Sequence, residues 1–439
     1  MREIRIAAAQ GDATARIQSA IDGAAETPVT VILETGVHSS GGLRLASDVE
    51  LRFEEGAELH FLPDYEAYAA TPVRVIAEES DRAMISAEGA CNIAITGKGR
   101  IFGGGAHFSL GEDTEMGTRI PAASRPRLLV LDGCANVTLS GFAAIHSPMW
   151  TLHVVNCAGV SIEGVAVDND LSMPNTDGIV IDGCRDVTVS GCNISTADDG
   201  VVLKTSQRPD GSVVGTCERV EVSGCRVRSR SCALKIGTES FGDFRDITFV
   251  SCDVVDSNRG LGIFSRDGGV VENVLFRDIR IDCRETPAGF WGSGEAITIN
   301  LVDRRPEKRP AGRISGVVIE NISGTMEGAI NLYAEHAGGI ENVVLGEISL
   351  SQRPGAYGTA LAYDLRPTPA DLVTAPGQDG RANAWRKGAD GRVIGLIDYP
   401  GGMPAIFARN VEGLKLEVVA IERPEPLPQG FNVKPVTIG

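Results

Sequence analysis

Short runs in which apolar and polar residues alternate recur along most of the chain. Examples are CNIAITG, CANVTLSG, CAGVSIEG, CRDVTVSG, CERVEVSG and ENVVLGE, each followed by a turn. Most of their apolar anchors, such as Val137, Val160, Val187 and Val220, are 23 to 33 residues apart. The period of two within each run excludes helical repeats. The longer spacing is typical of a stacked array, so we expect an all-β solenoid with one coil per repeat.

The rest of the chain fits one solenoid domain that spans residues 1–439. Residues 12–26 have apolar side chains at helical spacing and predict an N-terminal helix that caps the open apolar end of the solenoid. Residues 354–402 are rich in Gly, Pro and polar residues and predict a long surface excursion. Residues 403–420 are predicted to form the last coil.

Composition narrows the classes of function. A formal net charge of -17 opposes binding to nucleic acid or to an anionic membrane, and no apolar run approaches the length of a membrane span. The ten cysteines lack zinc-site spacing, so we expect buried, reduced thiols. Charges near the N-terminus interrupt any signal-peptide core. We therefore expect a cytoplasmic protein, or a secreted or periplasmic one if a leader has been removed.

Three aspartates are the first candidates for chemistry. Asp177 and Asp198 are 21 residues apart, about one short coil, and Asp199 follows directly. Parallel strands lie roughly 4.8 Å apart, so we expect the three carboxylates on one patch. Their mutual repulsion should raise the pKa of at least one. A protonated acid beside ionised bases can cleave a glycosidic bond. Alternatively, these acids cap turns or bind a structural calcium ion.

Longer phrases around these residues resemble a known family. They are VILETGVHSSGGLRLASDVELRFEEGAELHFLPDYEAY, RPRLLVLDGCANVTLSGFAAIHSPMWTLHVVNC, NTDGI, ADDGVVLKTS and NRGLGIFSRDGGVVENVLFRDI, in that order. They are similar to glycoside hydrolase family 28, the polygalacturonase family. This resemblance implies a right-handed parallel β-helix and an inverting hydrolase without a metal or organic cofactor. It also implies that Asp198 is the general acid, that Asp177 and Asp199 activate water, and that Asn175 orients the acids or touches sugar.

Two motifs depart from the family pattern. Cys232 and Ala233 stand where a His-Gly pair is expected, and Lys235 or Glu239 could reach the cleft in place of that histidine. Residues 262–264, Gly-Ile-Phe, stand where Arg-Ile-Lys holds a galacturonate carboxylate. The changes predict a different pectic linkage, or a sugar without a carboxylate at the cleavage point.

Four further residues are candidates for substrate contact. Arg259 and Arg266 could bind a substrate carboxylate, which an arginine fork suits well, or they could be ordinary solvated turn residues. Lys204 lies five residues beyond Asp199 and could contact substrate or pair with a catalytic acid. Trp291 could stack on a sugar ring or pin down its own loop.

We therefore expect an inverting glycoside hydrolase that acts on pectic polysaccharide or oligosaccharide, such as galacturonan or rhamnogalacturonan. Two alternatives stay open. The first is a polysaccharide lyase or epimerase, since β-helices also host those reactions. The second is a carbohydrate-binding β-helix without catalysis. The sequence predicts no oligomeric state.

Overall fold

A computed structural model describes residues 2–77, 80–114, 117–287, 292–369 and 388–439. Contacts divide the chain into two compact units, which are described separately. The first consists of Met1–Asp198, Gln207–Thr216 and Val220–Cys225, and the second of Asp199–Ser206, Cys217–Arg219 and Arg226–Gly439.

The described secondary structure is mostly short strands. The α-helix is α1 (Thr14–Asp22), and 3₁₀ helices span Gly23–Ala25, Tyr65–Tyr68, Gly105–Phe108 and Thr359–Leu361. The strands up to residue 205 are β1 (Arg2–Ile6), β2 (Val29–Leu33), β3 (Gly36–Ser40), β4 (Leu43–Arg44), β5 (Val49–Phe53), β6 (Ala57–Phe61), β7 (Pro72–Ala77), β8 (Ser80–Glu88), β9 (Cys91–Gly97), β10 (Arg100–Phe102), β11 (Ser109–Asp113), β12 (Thr118–Pro121), β13 (Arg127–Asp132), β14 (Ala135–Ser140), β15 (Ala143–Ile145), β16 (Leu152–Val155), β17 (Ala158–Glu163), β18 (Ala166–Asp168), β19 (Ile179–Asp182), β20 (Arg185–Ser190), β21 (Asn193–Thr196) and β22 (Val201–Thr205). The later strands are β23 (Cys217–Ser223), β24 (Arg226–Ser229), β25 (Cys232–Ser240), β26 (Phe244–Val250), β27 (Asp253–Ser257), β28 (Arg259–Ser265), β29 (Val271–Cys283), β30 (Ile297–Leu301), β31 (Ile314–Met326), β32 (Ile330–Ala334), β33 (Ile340–Gln352), β34 (Ala362–Asp364), β35 (Leu396–Asp398), β36 (Ile406–Arg409), β37 (Val411–Glu412), β38 (Lys415–Glu422) and β39 (Val436–Ile438).

In the first unit, the apolar anchors of the sequence repeat stack directly on one another. Val137 of β14 is paired with Ile93 of β9 and with Val160 of β17, which in turn is paired with Val187 of β20. All four side chains are buried. The pairs are parallel, so each coil places the same apolar position above the one before and buries the face that a single coil would expose.

A second ladder in the same unit has the same construction. Ile85 of β8, Leu129 of β13, Leu152 of β16 and Ile179 of β19 occupy paired positions in parallel strands. These side chains are 0% or 1% exposed, so they form a dry apolar interior.

The second unit repeats this arrangement. Ile236, Ile263, Ile299, Leu332 and Ala408 are paired in register through β25, β28, β30, β32 and β36. All five are buried. The stacked parallel strands confirm the prediction of an all-β, parallel β-helix fold.

The N-terminal helix is also confirmed. Helix α1 buries Ile17, Ala20 and Ile21, the apolar face that its spacing indicates. It is shorter than the predicted 12–26, because the last turn continues as the 3₁₀ helix Gly23–Ala25. None of the helices in the described ranges is long and apolar enough to cross a membrane.

The ten cysteines are free thiols, and nine of them are buried. The exception is Cys91, which is exposed. Burial raises the pKa of the Cys283 thiol well above its ordinary value. Such thiols behave as small apolar side chains, as the sequence indicated.

The described part of residues 354–402 contributes to the core of the second unit, in addition to its surface. Tyr363 and Tyr399 are 2% and 4% exposed, and their ring centroids are 5.1 Å apart. Both rings also lie close to Phe407 on β36. Beyond the predicted last coil, β39 adds one more parallel strand to β36. Residues 370–387 lie outside the described residues, and the single-domain organisation stays a prediction.

Candidate active site

Asp177 lies in the connection between β18 and β19, and Asp198 lies in the connection between β21 and β22. Asp177 comes two residues before β19, and Asp198 follows β21. The amide of Ala197 donates a hydrogen bond of 3.4 Å to Thr176 Oγ1. The hydroxyl of Thr196 donates a 2.6 Å bond to the Asp198 carbonyl oxygen. The first bond connects the two turns, and the second fixes the turn that carries Asp198.

Arginine 125 fixes the loop that carries the first aspartate. Its guanidinium donates to Asn175 Oδ1 (2.8 Å), to the carbonyl oxygen of Pro174 (2.8 Å) and to that of Pro148 (3.0 Å). Asn175 has a φ of 59°, in the left-handed region that asparagine tolerates. Asn175 is therefore braced beside Asp177, and Arg125 is a supporting residue that the sequence motifs did not reveal.

The three aspartates form one group. Each places a carboxylate oxygen within 4.8 Å of the oxygens of the other two. Asp177 and Asp199 are 2% exposed, whereas Asp198 is partly exposed. One accessible carboxyl group beside two buried ones is an arrangement that can donate a proton to a substrate and accept one from water. By distance alone, the same group could hold a metal ion.

Asp199 is held by two side chains of the second unit. Lys235 Nζ lies 2.7 Å from Asp199 Oδ2, and the Ser231 hydroxyl donates a 2.9 Å bond to Oδ1. Lys235 therefore brings a positive charge to the carboxylate. Ser231 was not among the sequence candidates, because a serine carries no distinctive local pattern.

Lys204 and Glu239 form a buried ion pair with each other. Lys204 Nζ and Glu239 Oε2 are 2.7 Å apart, and the two side chains are 3% and 9% exposed. Arg304 approaches the same glutamate at 3.9 Å. The prediction that Lys204 and Glu239 contact substrate stays a prediction; the structure shows that each already has a partner.

Arg259 is buried among carboxylates. Its Nη2 donates a 2.9 Å hydrogen bond to Asp364 Oδ2, and its Nε lies 3.6 Å from Glu295 Oε2. The side chain is 3% exposed, so it is not a solvated turn residue. Asp364 belongs to the segment that the sequence predicted as an excursion, and it is 105 residues away along the chain.

Arg266 is completely buried. Its guanidinium donates to the carbonyl oxygens of Ser265, Leu365 and Pro367 at 2.9 to 3.1 Å. Burial, reinforced by the charge of Arg304, lowers the pKa of Arg266 to about 9. These contacts connect β28 to the segment after β34. A substrate contact of Arg266 stays a prediction, and Trp291 lies outside the described residues.

Phe264 fills the place where the family pattern has a lysine. Its side chain is 1% exposed, and the Lys235 ammonium lies 5.1 Å from the ring centroid. The guanidinium of Arg259 lies 5.2 Å from the same centroid. A Cβ atom added to Gly262 would lie 2.5 Å from the Phe264 ring, so the glycine makes room for the aromatic side chain.

Cys232 stands where the family pattern has a histidine, and it supplies no charge. It is 0% exposed. Burial, together with the nearby charge of Asp199, raises the pKa of the Cys232 thiol to about 12. The thiol is therefore neutral over the physiological range, and the positive charge beside Asp199 comes from Lys235.

Comparison with known proteins places this geometry in a family. The model of the family described as glycosyl hydrolases family 28 matches residues 37–360, a range that includes all three aspartates. An endo-polygalacturonase of Pectobacterium carotovorum subsp. carotovorum is 22% identical over 342 residues, which are 74% of this chain and 81% of that protein. A probable polygalacturonase of Vitis vinifera is 26% identical over 175 residues.

Coverage of the plant relatives is partial. The chain spans 35% of the Vitis vinifera protein and 51% of a probable polygalacturonase of Arabidopsis thaliana.

Solved structures share the fold. An exopolygalacturonase from Thermotoga maritima superposes with a TM-score of 0.67 at 23% identity, covering 80% of this chain and 87% of that one. A polygalacturonase from Erwinia carotovora ssp. carotovora gives a TM-score of 0.60 at 18% identity, with 99% and 96% covered. At these identities the likeness shows the fold alone.

Proposed function

We propose, from the premise that the chain belongs to glycosyl hydrolases family 28, that it hydrolyses a glycosidic bond in a pectic polysaccharide or oligosaccharide. The observation that carries the proposal is the group formed by Asp177, Asp198 and Asp199, with carboxylate oxygens within 4.8 Å of one another. Two carboxyl groups in different environments are the equipment for such hydrolysis, because one must hold a proton while the other is ionised.

We propose for the three aspartates the roles that the family resemblance implies, and exposure and contacts support them. Asp198 is the partly exposed member and is placed to protonate the leaving oxygen of a substrate that approaches from solvent. Asp199 accepts hydrogen bonds from Lys235 and Ser231, which hold its carboxylate in one orientation. Asp177 and Asp199 then orient and deprotonate the attacking water.

The stereochemical outcome belongs to the same proposal. Inverting enzymes usually keep their two carboxyl groups roughly 6.5–9.5 Å apart to leave room for water, and retaining enzymes about 5–5.5 Å. The nearest oxygens of Asp177 and Asp198 are within 4.8 Å, which is shorter than the usual inverting separation. We propose inversion on the family likeness, with the water bound beside the pair; retention is the alternative outcome.

The substrate is a pectic chain, and the residues at the positions where the family pattern binds a galacturonate carboxylate differ from that pattern. Gly262 and Phe264 cannot bind a carboxylate, which favours a linkage other than plain galacturonan, such as one in rhamnogalacturonan. Among the candidates for substrate contact, Asn175 is two residues from Asp177 in the sequence, and Lys235 contacts Asp199.

The test is a panel of galacturonan and rhamnogalacturonan oligosaccharides, with products analysed by mass spectrometry and anomeric configuration followed by NMR. We expect saturated products from the unmodified protein, and Asp198→Asn should lose at least about 10²-fold in kcat, the usual contribution of a general acid. Asp168→Asn is the matched control, because Asp168 is exposed on β18 of the first unit. A fully active Asp198→Asn would refute the role of Asp198.

The same panel separates the other functions. An unsaturated, ultraviolet-absorbing product that disappears on adding a chelator would indicate a lyase. Oligosaccharide binding without turnover, unchanged in Asp198→Asn, would indicate a binding protein.

A further inference from the structure

Lys235 is a cation in direct contact with a carboxylate of the proposed site. Its Nζ is 2.7 Å from Asp199 Oδ2, and the side chains of the two residues are 10% and 2% exposed. Charges that are this close and this poorly hydrated stabilise each other, and removing one leaves the other buried without a partner.

A chain of serines fixes the other oxygen of Asp199. The Ser231 hydroxyl donates to Oδ1 at 2.9 Å. The amide of Ser231 donates to Ser229 Oγ, and the amide of Ser229 donates to Ser257 Oγ, both at 2.9 Å. The orientation of Asp199 is therefore set from both sides, by Lys235 on Oδ2 and by Ser231 on Oδ1.

The ammonium group is itself held in place. Strands β25 and β28 pair Lys235 with Gly262, and because Gly262 has no side chain, the Phe264 ring packs over that position. The ring centroid is 5.1 Å from Nζ, within the range of a cation–π interaction. Lys235 thus has one anionic and one aromatic neighbour.

We infer that Lys235 is a positioning residue for the hydrolytic reaction, which holds the Asp199 carboxylate in the orientation in which it accepts a proton from water. This inference rests on the proposed function and adds to it a role for a lysine next to the neutral Cys232.

Kinetics of Lys235→Met and Lys235→Arg test the inference. Methionine keeps the unbranched stem of the side chain and removes the charged ammonium group, so we expect kcat to fall about 10²-fold while KM changes little. Arginine keeps a cation at this position, so we expect the kcat of Lys235→Arg to be at least about tenfold higher than that of Lys235→Met. A purely structural role would not give a charge-dependent recovery of kcat at constant KM.

The control is Arg245→Met, which removes a partly exposed cation from β26 of the same unit. Arg245 Nη2 lies 2.7 Å from Asp243 Oδ2 and Nε lies 2.8 Å from Glu272 Oε1, so this variant also breaks the ion pairs of one cation, away from Asp199 in the sequence. Circular dichroism and the thermal midpoint establish that each variant is folded.

The outcomes separate the two proposals. If the unmodified protein hydrolyses a pectic oligosaccharide and folded Lys235→Met keeps its kcat within about threefold, the role of Lys235 is refuted and the hydrolase proposal stands. If the unmodified protein cleaves none of the oligosaccharides, the proposed function falls and the positioning role falls with it.

Discussion

Replacing Asp364 by asparagine should destabilise the second unit, because it removes the charge at the centre of a buried cluster. Asp364 is 2% exposed. It accepts hydrogen bonds from the Arg366 side chain, from Arg259 Nη2 and from the amide of Gly292, each at 2.8 or 2.9 Å. Asparagine has the same shape, but its amide group is a donor and would face donors.

The expected loss of stability in Asp364→Asn follows from the burial of the ion pairs. Removing one partner of a buried ion pair costs about 3–5 kcal/mol, and Asp364 is the shared partner of two guanidinium groups. The entropy of unfolding scales with length, so about 4 kcal/mol corresponds to a fall of about 4 °C in the thermal midpoint of a chain of this size. Scanning calorimetry at pH 7 measures that fall.

Lowering the pH should reduce the difference in thermal midpoint between the unmodified protein and Asp364→Asn. Burial alone would raise the pKa of the Asp364 carboxyl, but Arg366 and Arg259 outweigh burial and hold that pKa well below its usual range. A depressed folded-state pKa stabilises the protein above the unfolded value of about 3.9, and the stabilisation is lost as pH falls through the folded pKa. Asp364→Asn lacks this titration.

The matched control is Asp398→Asn. Arg392 and Asp398 also form a two-bond ion pair, at 2.7 and 2.9 Å, but both side chains are exposed. Exposed pairs contribute little, so the midpoint of this variant should equal that of the unmodified protein. An Asp364→Asn midpoint within about 1 °C of the unmodified protein at pH 7 would show that the cluster contributes no net stability.

Two further predictions concern the first unit and the exposed last strands, and both are checked by urea unfolding. Ile181→Ala truncates a side chain that is 0% exposed and should lower the free energy of unfolding by about 2–5 kcal/mol. Val418→Ala truncates a side chain that is 79% exposed and should lower it by less than about 0.5 kcal/mol. Equal losses would contradict the burial argument. Gly97→Ala should prevent normal packing, since φ is +108° and the new Cβ would lie 2.0 Å from the Phe53 carbonyl oxygen. Gly164→Ala, with φ +60° and open space around it, should cost only about 1–2 kcal/mol, and a larger loss there would mean that backbone conformation outweighs contact.

The pattern of apolar residues was sufficient to predict the coil repeat and the stacking of its anchors. Alternation with period two and a spacing near 27 residues leave few ways to bury Val137, Val160 and Val187 except in one parallel ladder, and that ladder is present. The same logic placed Asp177 and Asp198 together, because a separation of one coil returns the chain to the same angular position. Local pattern was sufficient for both because the governing contacts repeat at a fixed spacing.

The partners of the charged residues could not be predicted from that pattern, because they depend on how the chain packs. Lys235 meets Asp199 at a separation of 36 residues, and Arg259 meets Asp364 at 105. The alternation of apolar and polar residues predicts which side chains point away from the apolar interior, but it does not predict which residues pack over them. The described part of residues 354–402 could be predicted as irregular from its composition, yet the burial of Asp364 within it depends on two guanidinium groups brought there by the fold. A strong ion pair needs a short distance between its charges and little water around them, and both are properties of the packed chain.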